Sequence, residues 1–252
     1  MLLVPAENPS PWTGPTGNNT YLLKGAVPAL VDAGVGNPDH IAAVARELGD
    51  ASLARIVITH SHSDHVKGIP ALLDRWPSAT VVNVAPNSCR DGEAIEAGDT
   101  VLRALYTPGH APDHFCFLDE ATRDVYCGDL ARLGGTVVIP ASAGGNLVEY
   151  VASLDRLRAL RPRRLLPGHG AIIEDPDALI AEYLAHRADR ERQIVEALRA
   201  GHASPDAIVA RIYDNLHPAV VRAAADSVLA HLIKLRDEGR AVDDGGGWRL
   251  RR

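Results

Sequence analysis

No run of about eighteen apolar residues occurs in this chain, so no membrane-spanning helix is expected. Cysteine is scarce: Cys89, Cys116 and Cys127 form an odd, widely spaced set that offers no disulfide framework. The segment from Met1 to Glu7 lacks the basic start and longer apolar core of a signal peptide. The cytoplasm is therefore the expected location. An excess of positive charge is also missing. The 26 Lys and Arg residues are outnumbered by 32 Asp and Glu, for a net charge of −6. A protein gripping a long stretch of nucleic acid is usually basic overall or carries a basic face, so the total counts mildly against that class. What remains is 252 residues, 46% of them hydrophobic, enough for one large core with a small appendage.

Against that plain background, His60-Ser61-His62-Ser63-Asp64-His65 stands out. Four metal-capable side chains fall within six residues, directly after Arg55-Ile56-Val57-Ile58-Thr59, whose β-branched character reads as a buried strand. The ligands would leave the C-terminal end of that strand, where open α/β sheets place their sites. In an extended or tightly turned segment, His60 and His62 can face one metal while Asp64 and His65 face a second. Imidazole with carboxylate suits Zn²⁺, Fe or Mn²⁺ better than Ca²⁺ or Mg²⁺.

Three further strand ends repeat the pattern. His110 closes Leu105-Tyr106-Thr107-Pro108-Gly109-His110, Asp129 closes Val125-Tyr126-Cys127-Gly128-Asp129, and His169 sits in Leu165-Leu166-Pro167-Gly168-His169-Gly170. A glycine precedes each, permitting a tight turn and close backbone approach.

Together these motifs resemble a metallo-β-lactamase-fold hydrolase of the dinuclear, glyoxalase-II-like type. The HxHxDH motif is His60 to His65 with Gly68 following, and TPGH is Thr107 to His110. GD is Gly128-Asp129, and PGHG is Pro167 to Gly170. Asn19 to Leu23 resembles the family's first hairpin, and Asp32-Ala33-Gly34 its DxG turn. The resemblance implies a four-layer αββα sandwich over residues 1–175. It implies that His60, His62 and His110 hold one metal, that Asp64, His65 and His169 hold the other, and that Asp129 bridges them. Two Zn²⁺ per chain are expected, with Fe or Mn as alternatives. A hydroxide shared by the two metals would attack the substrate, with Asp64 and Asp129 the residues able to relay a proton. Glu in place of His62 would mark a flavodiiron protein. Cys or another non-carboxylate in place of Asp129 would mark the best-known β-lactamases. Asp129 therefore argues against dedicated antibiotic hydrolysis.

After Pro176 the pattern turns helical. A helix over Asp177 to Ala200 carries Ile180, Tyr183, Leu184, Ile194, Val195 and Leu198 on one face. Ser204-Pro205 reads as N-cap and first residue of a helix over Asp206 to Leu216. Pro218 opens a third, running to near Gly239 with Val221, Ala225, Val228, Leu229, Leu232 and Leu235 as its apolar stripe. Ala241-Val242, Asp243 to Gly247 and Trp248 to Leu250 then read as strand, turn and strand. This is the outline of a winged helix over residues 176–252. It is similar to the tail of the mitochondrial lactamase-beta-2-like proteins and their bacterial relatives. From Ala203 to Arg252 eight basic residues face seven acidic ones, and the wing tip Asp243-Asp244 is acidic. Phosphate binding needs concentrated positive charge, so this tail is expected to wall the substrate cleft and not to grip nucleic acid.

The other notable residues have modest readings. Asp32 is expected to shape a turn and help position ligands, and His114 either orients a ligand or is an ordinary strand residue. His40, His186, His202, His217 and His231 read as surface or capping residues. Trp76 and Tyr126 read as core, and Arg161 to Arg164 as a surface cluster. Cys127 has nothing beside it that marks a nucleophile. Three functions follow in order: hydrolysis of an ester, thioester or lactone in a small molecule; cleavage of single-stranded RNA; and a mononuclear-iron oxygenase resembling the persulfide dioxygenases. Specificity is expected in the loops Asn8 to Asn18, Pro86 to Asp91 and Leu130 to Asn146, whose residues have no readable chemistry.

Overall fold

A computed structural model of the chain describes residues 1–10, 13–83 and 88–251. Parts of two loops expected to carry specificity, Pro11-Trp12 and Pro86-Asn87, lie outside the described residues. The first sheet has the order β1 (Leu2–Pro5), β2 (Asn19–Leu23), β3 (Ala29–Val31), β4 (Arg55–Val57) and β5 (Thr80–Val82). Its first pairs are antiparallel, and β3-β4 and β4-β5 are parallel. The second sheet lines up β6 (Ala94–Ala97), β7 (Thr100–Tyr106), β8 (Phe115–Asp119), β9 (Asp124–Gly128) and β10 (Arg164–Pro167), with only β9-β10 parallel.

Strand periodicity builds the layers. Along β2, Tyr21 and Leu23 point between the sheets while Leu22 points to the outer helices. In β8, Phe115 and Phe117 point inward, and Cys116 and Leu118 point outward. Both faces of these strands are buried, which is why they read as continuous apolar runs in place of alternating ones. The outer face of the first sheet is covered by α1 (Pro38–Leu48) and α3 (Ile69–Arg75), through Val44, Leu48, Leu72 and the expected core residue Trp76. The outer face of the second is covered by α4 (Leu147–Ala159) and α5 (Pro176–Arg199), through Leu154, Leu157, Leu179 and Ile180. Each fully buried side chain of this size contributes about 1.5–3 kcal/mol. The result is the expected helix–sheet–sheet–helix sandwich.

Helix α5 runs 24 residues without a break. Its first half packs on the sandwich, and its second half, from Ile194 to Leu198, packs on the tail. No free linker separates the two: Ile173 pairs with Leu165 and is buried. The tail comprises the end of α5, then α6 (Pro205–Ile212), α7 (Pro218–Asp237), and the hairpin β11 (Ala241–Asp243) and β12 (Trp248–Leu250). Ser204 caps α6 by accepting from Ala207 N, as expected. Helix α6 stops four residues short of the expected Leu216. Tyr213 turns extended (φ −110°) and Asn215 takes a left-handed φ of 56°, consistent with the weak helix preference of Asp214-Asn215. Val221 leaves the expected apolar stripe and is exposed, whereas Val228, Leu232 and Leu235 are buried.

One other reading needs correction. His40 and His231 are buried, not surface residues; His40 Nε2 lies 2.9 Å from Thr20 Oγ1. The Arg161 to Arg164 cluster lies at the surface where β10 begins, as expected, and Arg163 and Arg164 reach onto the buried carboxylate of Asp124, each at 2.7 Å.

Candidate metal centre

The seven expected side chains converge at one edge of the sandwich, on turns that leave four strands. After β4, the segment carrying His60 and His62 is pinned by Ser61 N donating to Asp113 Oδ2 at 2.9 Å. The short helix α2 (Ser63–Val66) then brings in Asp64 and His65. Next comes Gly68, whose Cα lies so close to the DxG turn that a Cβ would meet Ala33 O at 2.0 Å. The turn carrying His169 is clamped by Asn19, which donates to Pro167 O at 2.9 Å and Gly170 O at 2.8 Å. In that turn a Cβ on Gly168 would meet His65 Cε1 at 2.7 Å and Asp129 Oδ1 at 2.8 Å. Both glycines are therefore required by space.

Three groups of potential ligand atoms form, each within 4.8 Å: His60, His62 and His110; His60, His65 and Asp129; and Asp64, His65 and His169. His62 Nδ1 lies 3.0 Å from His60 Nε2 and 2.9 Å from His110 Nε2. Asp129 faces both sides. Its Oδ2 is 3.6 Å from His110 Nε2, and its Oδ1 is 3.2 Å from His169 Nε2 and 3.5 Å from His65 Nε2.

The hydrogen-bond network fixes which nitrogens are bare. Thr59 Oγ1 has one proton and gives it to the Asp32 carboxylate at 3.0 Å, so it accepts from His60 Nδ1–H at 3.0 Å. Val138 O can only accept, so His110 Nδ1–H donates to it at 2.8 Å. The lone pairs of His60 Nε2 and His110 Nε2 therefore both face His62 Nδ1, which cannot serve both with a single proton. Burial, reinforced by neighbouring imidazoles, lowers the pKa of His60, His62 and His110 and keeps them neutral. A cation satisfies three converging lone pairs; no arrangement of their own protons does. Zinc–nitrogen bonds of 2.0–2.1 Å place tetrahedral ligand atoms about 3.3 Å apart, close to the spacing found here.

The second half is more anionic. Burial alone would lower the His65 pKa, but the Asp32 and Asp129 carboxylates raise it well above its ordinary value. Burial alone would raise that of Asp129, and His169 and His65 hold it well below the usual range instead. Negative charge at this position favours a proton on His65 or a metal cation in its place. The donor set fits divalent metal on both sides.

Several orienting residues are invisible or ambiguous in the sequence. His114 proves to be one: its Nε2 accepts from Asp129 N at 3.2 Å, while Thr107 Oγ1 lies 3.0 Å from its Nδ1. Burial pushes its pKa down to about 3, so it stays neutral and able to accept. Asp32 holds Thr59 and His65, as expected. Asn18 is another, with no signal in the sequence; its Nδ2 donates to Asp64 Oδ2 at 3.0 Å. Cys127 is fully buried and its thiol is pushed well up, in keeping with an inert side chain.

His62, Asp64, His110, Asp129 and His169 open into a cleft of about 630 Å³. One wall is the loop from Arg132 to Ala143. The other is the tail, through Tyr213, Leu216, Val220, Ala223, Ala224 and Ser227. Ser142 Oγ donates to Asp226 Oδ2 at 2.9 Å, and Arg187 donates to Val137 O at 2.5 Å, fastening tail helices to that loop. The guanidinium of Arg190 lies 4.1 Å over the Tyr213 ring.

The family model described as Metallo-beta-lactamase superfamily matches residues 13–86 and 90–169. The model described as Beta-lactamase associated winged helix domain matches residues 204–248. A Caenorhabditis elegans protein named Beta-lactamase-like protein 2 homolog is 32% identical over 92% of this chain and 83% of its own length. The Atrochrysone carboxyl ACP thioesterase of Aspergillus chevalieri is 37% identical over 73% of this chain, which spans 61% of that enzyme. Among solved structures, a metallo-beta-lactamase family protein from Thermus thermophilus superposes with a TM-score of 0.79 at 25% identity, over 99% of this chain and 98% of the other.

Proposed function

The chain belongs to the metallo-beta-lactamase superfamily and is an enzyme of its hydrolase kind; from that premise we propose that it is a dinuclear metal-dependent thioesterase acting on a small molecule. The observation that carries the reading is Asp129, whose two oxygens face two separate ligand groups at the head of a largely apolar cleft. The similarity to a protein named as an acyl carrier protein thioesterase favours a thioester over an ester or lactone.

In this reading His60, His62 and His110 would hold one cation, Asp64, His65 and His169 would hold the other, and Asp129 would serve both. Bound divalent metal supplies a water acidified toward neutrality, to a pKa of about 7 in the best-documented zinc case, and polarisation of the substrate carbonyl. The remaining tasks belong to the chain. His114 and Asn18 fix the angles of Asp129 and Asp64. Asp64, with its side chain 28% exposed at the cleft, takes up the proton released when water adds to the carbonyl carbon. The C–S bond then breaks, and that proton leaves with the thiol. The loop from Arg132 to Ala143 and the tail exclude bulk water from the acyl group.

Single-stranded RNA is less well supported. Four tail cations are paired internally: Lys234 with Glu191 and Glu238, Arg236 with Asp237, Arg240 with Glu191, and Arg249 with Asp244. A substrate panel on zinc-loaded protein tests the reading. Turnover of acyl thioesters should exceed that of lactones and single-stranded RNA. RNA cleavage without thioester turnover, or oxygen consumption on persulfide by an iron-loaded form, would overturn it.

A further inference from the structure

The cleft separates into two chemical zones. At its head stand the ligand side chains, including Asp64 and Asp129, the two acidic residues that line it. The apolar side chains that line the rest of the cleft include Val137 and Pro140 on one side and Leu216, Val220 and Ala223 on the other. Among the described lining residues, Arg132 is the one Lys or Arg side chain. A carboxylate or phosphate carried between these apolar side chains would lose its hydration, with Arg132 the one described lining cation that could offset the cost. An uncharged hydrocarbon gains by leaving water there. The volume lies within the range of sites that enclose a small ligand.

Ala223 has a special position. It lies on α7 and lines the cleft, yet it does not belong to the apolar cluster that holds the tail together. A larger side chain at that position would extend into the cleft without displacing the tail's own core. Helix α7 is itself fixed to the sandwich, through Ser142 with Asp226 and through Ala230 packed in the sandwich core. The wall therefore stands at a set distance from the opposite loop.

Resting on the thioesterase reading, we propose that this cleft selects its substrate by the acyl group, accepting an extended, uncharged, apolar acyl chain, and that α7 gauges its size through Val220 and Ala223. Substrates with short acyl groups leave the apolar walls unused. Substrates with a charge at the far end of the chain are rejected.

The test compares acetyl, octanoyl and suberyl thioesters of N-acetylcysteamine on zinc-loaded full-length protein. The octanoyl substrate should exceed both others in kcat/KM by at least about tenfold, since contacts with a few methylenes discriminate on that scale. Ala223→Leu should reduce the octanoyl-to-acetyl ratio about tenfold, and Val220→Ala should raise it. Thermal unfolding confirms that each variant is folded. A second arm needs no turnover: calorimetry should show the S-octyl thioether of N-acetylcysteamine binding at least about tenfold more tightly than the S-ethyl thioether, with Ala223→Leu abolishing the difference. Loss of thioesterase activity with this binding preference retained would sink the thioesterase reading and leave the acyl-selective cleft standing. Turnover with no chain-length preference, equal use of suberyl and octanoyl substrates, or an unmoved ratio in both variants would overturn the cleft proposal.

Discussion

Asp32 Oδ2 lies 2.8 Å from His65 Nδ1, with both side chains buried. The same carboxylate takes the Thr59 hydroxyl and backbone N–H, so it orients His65 directly and His60 through Thr59. Partners of this kind set ring orientation and ligand basicity. Replacing Asp32 by Ala should weaken zinc binding about 10–100-fold, the usual cost of losing such a partner. Competition against a chromophoric chelator measures this. Unchanged affinity would mean that the ring is held by packing alone.

Gly168 offers a purely steric prediction. A Cβ there would overlap His65 and Asp129, which are held from behind by Asp32 and His114 and cannot easily retreat. Gly168→Ala should destabilise the metal-free protein by about 1–3 kcal/mol, the range for overpacking a close-fitting region. It should also weaken metal binding. Urea unfolding followed by circular dichroism gives the first quantity. A variant as stable as the parent would show that the turn relaxes freely.

Deleting residues 203–252 should leave an insoluble chain. The cut removes Ile208, Val228, Leu232, Leu235 and Trp248 from their contact with Ile194, Val195 and Leu198, exposing the end of α5. It also strips Ala230 from the sandwich core. Soluble expression of the truncated chain, judged by its elution on gel filtration, checks this. A monodisperse truncated protein would show that the sandwich is independent of the tail. In the intact chain, single-stranded RNA should bind weakly in filter assays at about 0.15 M salt, because the tail lacks concentrated free charge. Neutralising Arg222, Lys234 and Arg236 should change little; sub-micromolar binding that disappears in that triple variant would contradict this.

The candidate metal centre is readable because its potential ligands come in short motifs at strand ends, three of them directly after a glycine. The sandwich is readable because strands buried on both faces give uninterrupted apolar runs. Longer-range relationships are not. Asn18 reaches Asp64 across 46 positions, and nothing about a lone Asn between a glycine and another Asn announces that. His231 reads as a helix surface residue because it is polar, although Leu229, Ala230, Leu232 and Ile233 flank it; in the fold it is buried, with His186, Arg187 and Arg190 of α5 near it. The apolar pattern carries helix α6 four residues too far because it outweighs the weak helix preference of Asp214-Asn215, where the chain leaves the helix and Tyr213 comes to lie under Arg190. The acidic wing and near-neutral tail do anticipate a structural wall, and the cleft lining has that character.

The central claim is that Asp129 joins two metal ions into one hydrolytic centre. Its most direct test is a titration of metal-free protein with zinc, following thioester hydrolysis against metal bound per chain, for the parent and Asp129→Ala. Parent activity should rise to a plateau at two equivalents, whereas Asp129→Ala should retain one metal and lose most turnover. Full activity at one equivalent, or an Asp129→Ala protein that binds two metals and turns over at the parent rate, would contradict the claim.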